Sequence, residues 1–190
     1  MFDIPEPASS FDVHETRIHV IAGAPCSGKT TLLRALADRG YRVERETAEV
    51  LLEEATQRGL SAENLRADAI PWQEELLKRD FALFNALPSD ELVFTDTSFI
   101  ETLVFSHRAG LQEGPNLTRW LQTHRYGRVF FLQALENYVT SDVRIETDVI
   151  AEHISREILA LYQSFNYDVL LVPAGSVEER LAFIERHSKR

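Results

Sequence analysis

The chain has 190 residues, enough for one domain of ordinary size with a sizeable core. Its composition, 44% hydrophobic and 26% charged residues, is typical of a globular protein and excludes a disordered one. The net charge of −10 repels nucleic-acid phosphates and anionic lipid, so we expect no nucleic-acid or membrane partner, although a local basic pocket for a small anion is compatible with it.

Three features of the sequence indicate a compartment and a domain plan. No apolar run approaches the ~20 residues of a membrane span, and the first residues lack the basic and apolar regions of a signal peptide. The single cysteine cannot form an internal disulfide, which favours a reducing compartment. We therefore expect a cytoplasmic protein with a polar leader over residues 1–16 and one domain over residues 17–190.

After the leader, short apolar runs alternate with longer amphipathic stretches. Runs of this length, closed by glycine or polar residues, predict buried strands, and apolar residues three or four positions apart predict helices. The predicted strands are residues 17–23, 41–46, 91–96, 128–134 and 167–173. The predicted helices are residues 29–40, 47–59, 71–87, 98–110, 117–126, 146–165 and 176–187.

This alternation of strands and helices predicts an α/β fold. Right-handed crossovers between the strands give a five-stranded, mostly parallel sheet with helices on both faces, a three-layer α/β/α arrangement. Ligands of such sheets bind at the carboxyl ends of the strands. The loops that follow the five strands are therefore expected to share one rim.

The segment GAPCSGKT, residues 23–30, matches the P-loop (Walker A) pattern between a predicted strand and a predicted helix. Its glycines allow several backbone N–H groups to converge on a phosphate, and the helix that follows adds the positive end of its dipole. Lys29 is expected to reach the β- and γ-phosphates, and the Thr30 hydroxyl to bind Mg²⁺. The predicted nucleotide-binding residues here are Gly23, Ala24, Pro25, Cys26, Ser27, Gly28, Lys29, Thr30 and Thr31.

Two carboxylates follow predicted strands at the same rim. Asp96 ends the apolar run LVFTD, where a base or a metal-binding carboxylate would lie beside the γ-phosphate; the alternative role is a helix N-cap, which Thr97 or Ser98 could supply instead. Glu46 ends the second strand, on the side where P-loop kinases hold their acceptor. It is either a substrate-binding or base residue, or a first-turn acid that stabilises the helix dipole.

Two further segments are candidates for nucleotide contacts. A lid that closes over the phosphates is predicted around residues 135–147, and its Arg144 would stabilise charge on the transferred phosphoryl group, unless it is a solvated surface arginine. Pro173 and Ser176 follow the fifth strand, where a P-loop kinase would hold the adenine. Ser176 and Glu179 also fit a capping box, and the two roles are compatible.

Together, five ordered segments resemble the NadR-like family of P-loop kinases and ATPases, which contains ribosylnicotinamide kinase domains and small AAA-labelled ATPases. The resemblance spans about residues 17–187. The segments are GAPCSGKTTL, RVERETAEVLLEE, VFTDTSFIETLVFSHRAG, SDVRIET and YQSFNYDVLLVPAGSVEERLAFI. The resemblance implies the fold of nucleoside and nucleotide kinases, Mg-ATP on the P-loop, and a phosphoryl acceptor between Glu46 and Asp96.

The chain departs from this family at two places. Many relatives have arginine where this chain has Glu49, and a Pro-Pro pair where it has QALEN after the fourth strand. The first change removes a positive charge from the acceptor side. The sequence therefore predicts a kinase that transfers the γ-phosphoryl of ATP to a hydroxyl of a small, nucleoside-like acceptor. The rival prediction is a nucleotide-dependent ATPase or switch that binds a protein partner.

Overall fold

The structure is a computed structural model that describes residues 1–5, 14–23, 27–133 and 142–188. Within these ranges the main sheet has five parallel strands in the order β3-β4-β2-β6-β7. Its strands are β2 (Ile18–Ala22), β3 (Arg42–Glu44), β4 (Val93–Thr95), β6 (Arg128–Leu132) and β7 (Val169–Val172). The predicted α/β fold with a five-stranded parallel sheet is confirmed.

Helices cover both faces of this sheet. In the described part of the chain they are α1 (Lys29–Asp38), α2 (Thr47–Gln57), α3 (Ala62–Arg66), α4 (Ala69–Ala86), α5 (Phe99–Arg108), α6 (Pro115–Thr123), α7 (Asp142–Ser164) and α8 (Val177–Ser188). None of the helices in these ranges is long and apolar enough to span a membrane.

The central strand β2 contributes side chains to two hydrophobic cores, one on each face of the sheet. All five of its residues are buried, because helices cover both faces of the sheet. Ile18, Val20 and Ala22 point into a core shared with α4 to α7, whereas Ile21 points into a second core formed with α1 and α8. The chain leaves β2 toward β3 on one side and reaches β6 on the other. This reversal of strand order opens a crevice at the carboxyl end of β2.

The structure differs from the sequence-based elements in several places. Helix α7 begins at Asp142, four residues before the predicted helix and within the predicted lid. Helix α3 was not predicted, because its five residues are too few to show a periodic pattern. The helix predicted over residues 117–126 begins at Pro115 and ends at Thr123. The strand β5 (His124–Arg125) follows it and pairs in parallel with β1 (His14–Glu15).

The first residues of the chain pack against the domain. Phe2 and Ile4 are buried in the core on the α4–α7 side. The Asp3 carboxylate accepts a hydrogen bond from the Leu117 N–H at 2.8 Å, and so stabilises the first turn of α6. These contacts join the beginning of the polar leader to the domain, which its composition did not indicate.

Candidate active site

The loop between β2 and α1 has the backbone geometry of a phosphate site. Gly23 has φ +142° and Gly28 has φ +93°, conformations that strain any residue with a Cβ. A Cβ on Gly23 would also lie 3.1 Å from the carbonyl oxygen of Leu132. Among the described residues no side chain caps the N-terminus of α1, and no acid occupies its first turn. The N–H groups there suit an external anion.

A cleft of about 470 Å³ opens in front of this loop. Its lining includes the P-loop residues Gly23, Gly28, Lys29, Thr30 and Thr31. The Lys29 Nζ donates a hydrogen bond to the Gly23 carbonyl oxygen at 2.9 Å, which holds the ammonium group over the loop. Five of the predicted loop residues therefore come together around one cleft. Ser27 is buried and does not line it. Ala24, Pro25 and Cys26 lie outside the described residues.

Three carboxylates also line this cleft: Glu46, Asp96 and Glu101. Burial, reinforced by repulsion from Glu46, raises the pKa of Asp96 to about 6, while Lys29 opposes the shift. Burial also raises the pKa of Glu46, and raises that of Glu101 to about 7. A site that concentrates negative charge in this way is suited to cations and to exchanging protons near neutral pH.

The residues present fit a magnesium ion that arrives with a nucleotide. The Oδ1 atom of Asp96 is buried and has no hydrogen-bond partner in the part of the chain that the structure describes, and Thr30 lines the same cleft. No group of three or more His, Cys, Asp or Glu side chains in the described ranges is arranged to hold a metal ion by itself. Mg²⁺ usually binds through one or two protein oxygens together with substrate phosphates, and Thr30 and Asp96 supply such oxygens.

Glu101 was missed by the sequence analysis. It lies in the first turn of α5 and is 8% exposed; its Oε1 accepts a hydrogen bond from the Gly23 N–H at 3.2 Å. The side chain thereby fixes the start of the P-loop. Ser98, three residues earlier, accepts a hydrogen bond from the Glu101 N–H at 3.1 Å and caps α5. The spacing Ser98–Glu101 resembles an ordinary capping box, which hides the role of the carboxylate.

Arg180 was also missed. It lies in α8, is 3% exposed, and donates from Nη1 to the Ser27 carbonyl oxygen at 3.0 Å and from Nη2 to the Gln133 carbonyl oxygen at 3.2 Å. Its guanidinium group therefore connects the P-loop to the end of β6. In the sequence Arg180 is one of two arginines in an amphipathic helix, so sequence reasoning could not single it out.

A second cavity of about 330 Å³ adjoins the phosphate cleft. Four residues line both spaces: Glu46, Asp96, Glu101 and Phe105. The remaining lining residues are Thr47, Ala48, Arg66, Trp72, Gln73, Leu76, Thr97, Ser98 and Thr102. The Arg66 guanidinium lies 5.6 Å from the centre of the Trp72 ring, a cation–π contact. We call this space the acceptor cavity.

The other predicted residues are placed as follows. Arg144 lies in α7, but its side chain falls outside the described part of the chain, as do residues 135–141 of the predicted lid. Pro173 and Ser176 are exposed after β7 and do not line the phosphate cleft. Ser176 and Glu179 form the predicted capping box, with the Glu179 N–H donating to Ser176 Oγ at 3.3 Å and the Ser176 N–H donating to the Glu179 carboxylate at 2.8 Å. Their contact with adenine remains a prediction.

A family model described as an AAA domain matches residues 18–180. The chain belongs to this AAA domain family. The match covers the P-loop, both cavities and Arg180, and no curated protein matches the chain. This match confirms the predicted membership among small AAA-labelled P-loop proteins, and the likeness to a NadR protein described below shows a shared fold.

Solved structures share the fold of this AAA domain. The NadR protein in complex with NR has a TM-score of 0.60 at 13% identity over 93% of the chain. A deoxyadenosine kinase from M. mycoides has a TM-score of 0.55 at 14% identity over 89% of the chain and 96% of its own. A shikimate kinase from Aquifex aeolicus has a TM-score of 0.50 at 18% identity over 89% of the chain and 93% of its own. The chain spans about half the length of the NadR chain, 52% of it. At these identities the likeness shows the fold alone.

Proposed function

We propose that this AAA domain is an ATP-dependent kinase that transfers the γ-phosphoryl group of ATP to a hydroxyl of a small, nucleoside-like acceptor. The observation that carries the proposal is the wall shared by the two cavities. A phosphate site and a separate acceptor cavity meet at Glu46, Asp96, Glu101 and Phe105. Phosphoryl transfer requires the two substrates to meet at such a boundary, since its catalysis is largely positioning and charge stabilisation.

On the phosphate side, the P-loop backbone and the N-terminus of α1 would hold the β- and γ-phosphates of ATP. Lys29 would offset their charge, as would Arg144 from the predicted lid. Thr30 and Asp96 would hold Mg²⁺, which when bound neutralises charge on the phosphates. We place this activity in the cytoplasm, where Mg-ATP is available.

On the acceptor side, Asp96 is the proposed base and Glu46 is the second candidate. Both line the boundary, within the space where an acceptor hydroxyl would approach the γ-phosphate. A raised pKa makes a carboxylate a better proton acceptor near neutral pH, and the pKa of Asp96 is raised to about 6. If Asp96 binds Mg²⁺ instead, Glu46 takes the proton.

The side chains of the acceptor cavity fit a planar, ring-containing molecule. Trp72 and Phe105 supply two aromatic surfaces, and Gln73 supplies a buried amide between hydroxyl-bearing residues. Aromatic faces and a few fixed polar groups are the usual means of binding a nucleobase or a similar ring. The NadR protein, whose structure contains NR, and the deoxyadenosine kinase suggest which compounds to test first.

The test is ATP turnover with Mg²⁺, measured with and without ribosylnicotinamide, a panel of nucleosides and simple alcohols, with the products identified by mass spectrometry. We expect one acceptor class to gain a single phosphate and to raise ADP release well above the rate without acceptor. Tight ATP binding with slow hydrolysis that no acceptor changes would overturn the kinase proposal.

That second outcome would favour a nucleotide-dependent switch. One observation supports the alternative: a groove of about 570 Å³ lies between α5 and α7, lined by Val104, Ala160 and Leu161 among others. It shares no lining residue with the phosphate cleft. However, the neighbouring residue Ile158 of α7 lines that cleft, so a nucleotide could influence this surface.

A further inference from the structure

A buried aspartate and three threonines form a hydrogen-bond network behind the candidate active site. Asp80, in the middle of α4, is 2% exposed. Its Oδ1 accepts a hydrogen bond from Thr97 Oγ1 at 3.1 Å, and its Oδ2 accepts one from Thr102 Oγ1 at 2.5 Å. Thr47 Oγ1 lies 3.3 Å from Thr97 Oγ1 and adds a hydrogen bond that favours the charged form of Asp80. No ion pair among the described residues includes Asp80, so these hydroxyls are the partners that stabilise its charge.

Each of these threonines directly follows a carboxylate of the phosphate cleft. The three pairs are Glu46–Thr47, Asp96–Thr97 and Glu101–Thr102. In each pair the acid lines the phosphate cleft and the threonine belongs to the network around Asp80. Neighbouring side chains along a chain point in different directions, so one member of a pair reaches the cleft while the other reaches back toward α4.

The three pairs come from three different elements. They lie at the start of α2, in the loop after β4 and in α5. A single side chain, that of Asp80, therefore joins three segments that are far apart in the sequence, and each segment presents one carboxylate to the cleft.

Such a group of carboxylates needs support, because like charges repel one another. Burial is the main cause of the raised pKa values of Asp96 and Glu101, and repulsion from Glu46 adds to both. Repulsion of this kind favours movement of the side chains apart or toward water. Hydrogen bonds to an ionised group are short, strong and directional, and in a buried site they are stronger still. The network around Asp80 thus holds the three segments in place from the side opposite the cleft.

We propose that Asp80 is a positioning residue for phosphoryl transfer, which fixes the candidate bases Asp96 and Glu46 through Thr97 and Thr47. The inference rests on the proposed function, because it takes the boundary of the two cavities as the place of transfer. Asp80 itself lines neither cavity, so it acts through its neighbours and not on the substrates. A displacement of about 1 Å can lower the rate of such a reaction about 10²-fold. Loss of Asp80 should therefore lower kcat more than it weakens ATP binding.

The experiment uses the compound that the wild-type chain phosphorylates fastest among ribosylnicotinamide, the nucleosides and the simple alcohols tested above. The readouts are kcat and KM for this compound at saturating Mg-ATP, and the Kd of ATP from calorimetric titration without acceptor. Asp80→Asn keeps the shape of the side chain but replaces one accepting oxygen by a donor, so one threonine loses its partner. We expect kcat to fall about 10- to 100-fold and the Kd of ATP to change by less than about threefold.

Variants of the threonines test the route by which Asp80 acts. Thr47→Val and Thr97→Val each remove one hydroxyl at nearly constant volume, and at least one of them should lower kcat about tenfold or more. Serine at the same position keeps the hydroxyl and should leave kcat within about threefold of the wild type. Asp80→Asn should lower kcat less in the background of the more damaging valine variant than in the wild type, because both changes interrupt one path.

Two control variants separate positioning from lost stability. Thr56→Val makes the same chemical change at an exposed position of α2 and should leave kcat unchanged. Ile18→Val removes a buried methylene at the end of β2 away from the cleft, and should lower Tm without lowering kcat. Circular dichroism melting of every variant sets an assay temperature at which all are folded. The threonine variants carry the test if Asp80→Asn does not fold.

The two proposals fail in different ways. If the wild-type chain phosphorylates an acceptor, and Asp80→Asn and both valine variants keep kcat within about threefold, the role of Asp80 is wrong and the kinase proposal stands. The role is also wrong if ATP affinity falls as much as kcat, or if the losses in the double variant multiply as for independent sites. If no compound on the panel is phosphorylated, the kinase proposal fails, and the inference fails with it.

Discussion

The phosphate cleft and the acceptor cavity are neighbours built in opposite ways. Half of the residues that line the cleft come from one continuous stretch, the P-loop and the start of α1, and the cleft depends on backbone geometry at Gly23 and Gly28. The cavity takes side chains from α2, α3, α4, α5 and the loop after β4. Backbone recognition suits a ligand part that many proteins share, such as a triphosphate. Side-chain recognition can change with few substitutions, so in the proposed kinase the cavity would determine which acceptor is bound.

The largest expected effect is the loss of ATP turnover when Lys29 of the phosphate cleft is replaced. Lys29→Ala removes the ammonium group held over the loop, and we expect kcat for ATP turnover to fall about 10²–10³-fold, as when one stabilising donor is lost. The assay is the initial rate of ADP release with a saturating acceptor. Lys78→Ala, at an exposed position in α4, is the matched control. An unchanged rate in the Lys29 variant would mean that this loop does not bind the transferred phosphate.

The second prediction has a smaller expected effect and tests whether the phosphate cleft depends on a contact from α8. Arg180→Met removes two hydrogen bonds from a charged group to the Ser27 and Gln133 carbonyls. Each such bond contributes about 1.5–3 kcal/mol to the free energy of unfolding, and the structure around the variant side chain can relax to recover part of the loss. We therefore expect the variant to lower the free energy of unfolding by about 3 kcal/mol. In a domain of this size that lowers Tm by roughly 6–12 °C. Because Ser27 belongs to the P-loop, ATP affinity should also fall, by about tenfold.

Calorimetric melting and ATP titration measure the two effects separately. Arg186→Met, an exposed position in the same helix, is the control and should change neither quantity appreciably. A lower Tm with unchanged ATP affinity would show that Arg180 stabilises the fold alone. The cleft would then be independent of α8.

The third prediction concerns Glu101, which belongs to both regions. Burial raises its pKa to about 7, so the folded chain binds a proton there that the unfolded chain releases near pH 4. The contribution of Glu101 to stability is therefore greatest below pH 4 and declines as the pH rises from about 4 to about 7. Glu101→Gln removes the titration while keeping an oxygen for the Gly23 N–H, so at pH 8 it should stabilise the ligand-free chain by about 2 kcal/mol.

The measurement is the free energy of unfolding in urea at pH 5 and at pH 8, for the wild type and for Glu101→Gln. Relative to the wild type, the variant should gain more free energy of unfolding at pH 8 than at pH 5. Glu91→Gln, at an exposed position, should show no such difference. An equal gain at both pH values would show that the Glu101 carboxylate does not titrate in this range.

The fold could be predicted from the sequence because its signals are local. The apolar run that forms β2 and the glycines before α1 each specify their own segment, and strand–helix alternation then leaves few arrangements. Helix α3 and the β1–β5 pair could not be predicted, since such short elements depend on tertiary contacts. The burial of Phe2 and Ile4 likewise depends on a surface formed by α6 and its neighbours.

The residues of the candidate site likewise fall into those with a local signal in the sequence and those without one. Lys29, Thr30 and Asp96 follow directly from a motif and a strand end, and the structure brings them to one cleft with Glu46. Glu101, Arg180 and Asp80 act across long sequence separations, as in the contact between Glu101 and Gly23. Contacts between residues so far apart in the chain leave no pattern in a short stretch of sequence. Their roles become visible only when burial and hydrogen-bond partners are known.

The contact from Arg180 to the P-loop has a consequence for synthesis of the protein. Arg180 leaves the ribosome 153 residues after Ser27. A nascent chain can form β2 and α1 well before α8 exists, but the loop between them lacks its buried guanidinium until α8 docks. If the proposed function is right, ATP should therefore bind weakly to chains that still lack α8 and more tightly to chains in which α8 has docked, and it should stabilise only the latter.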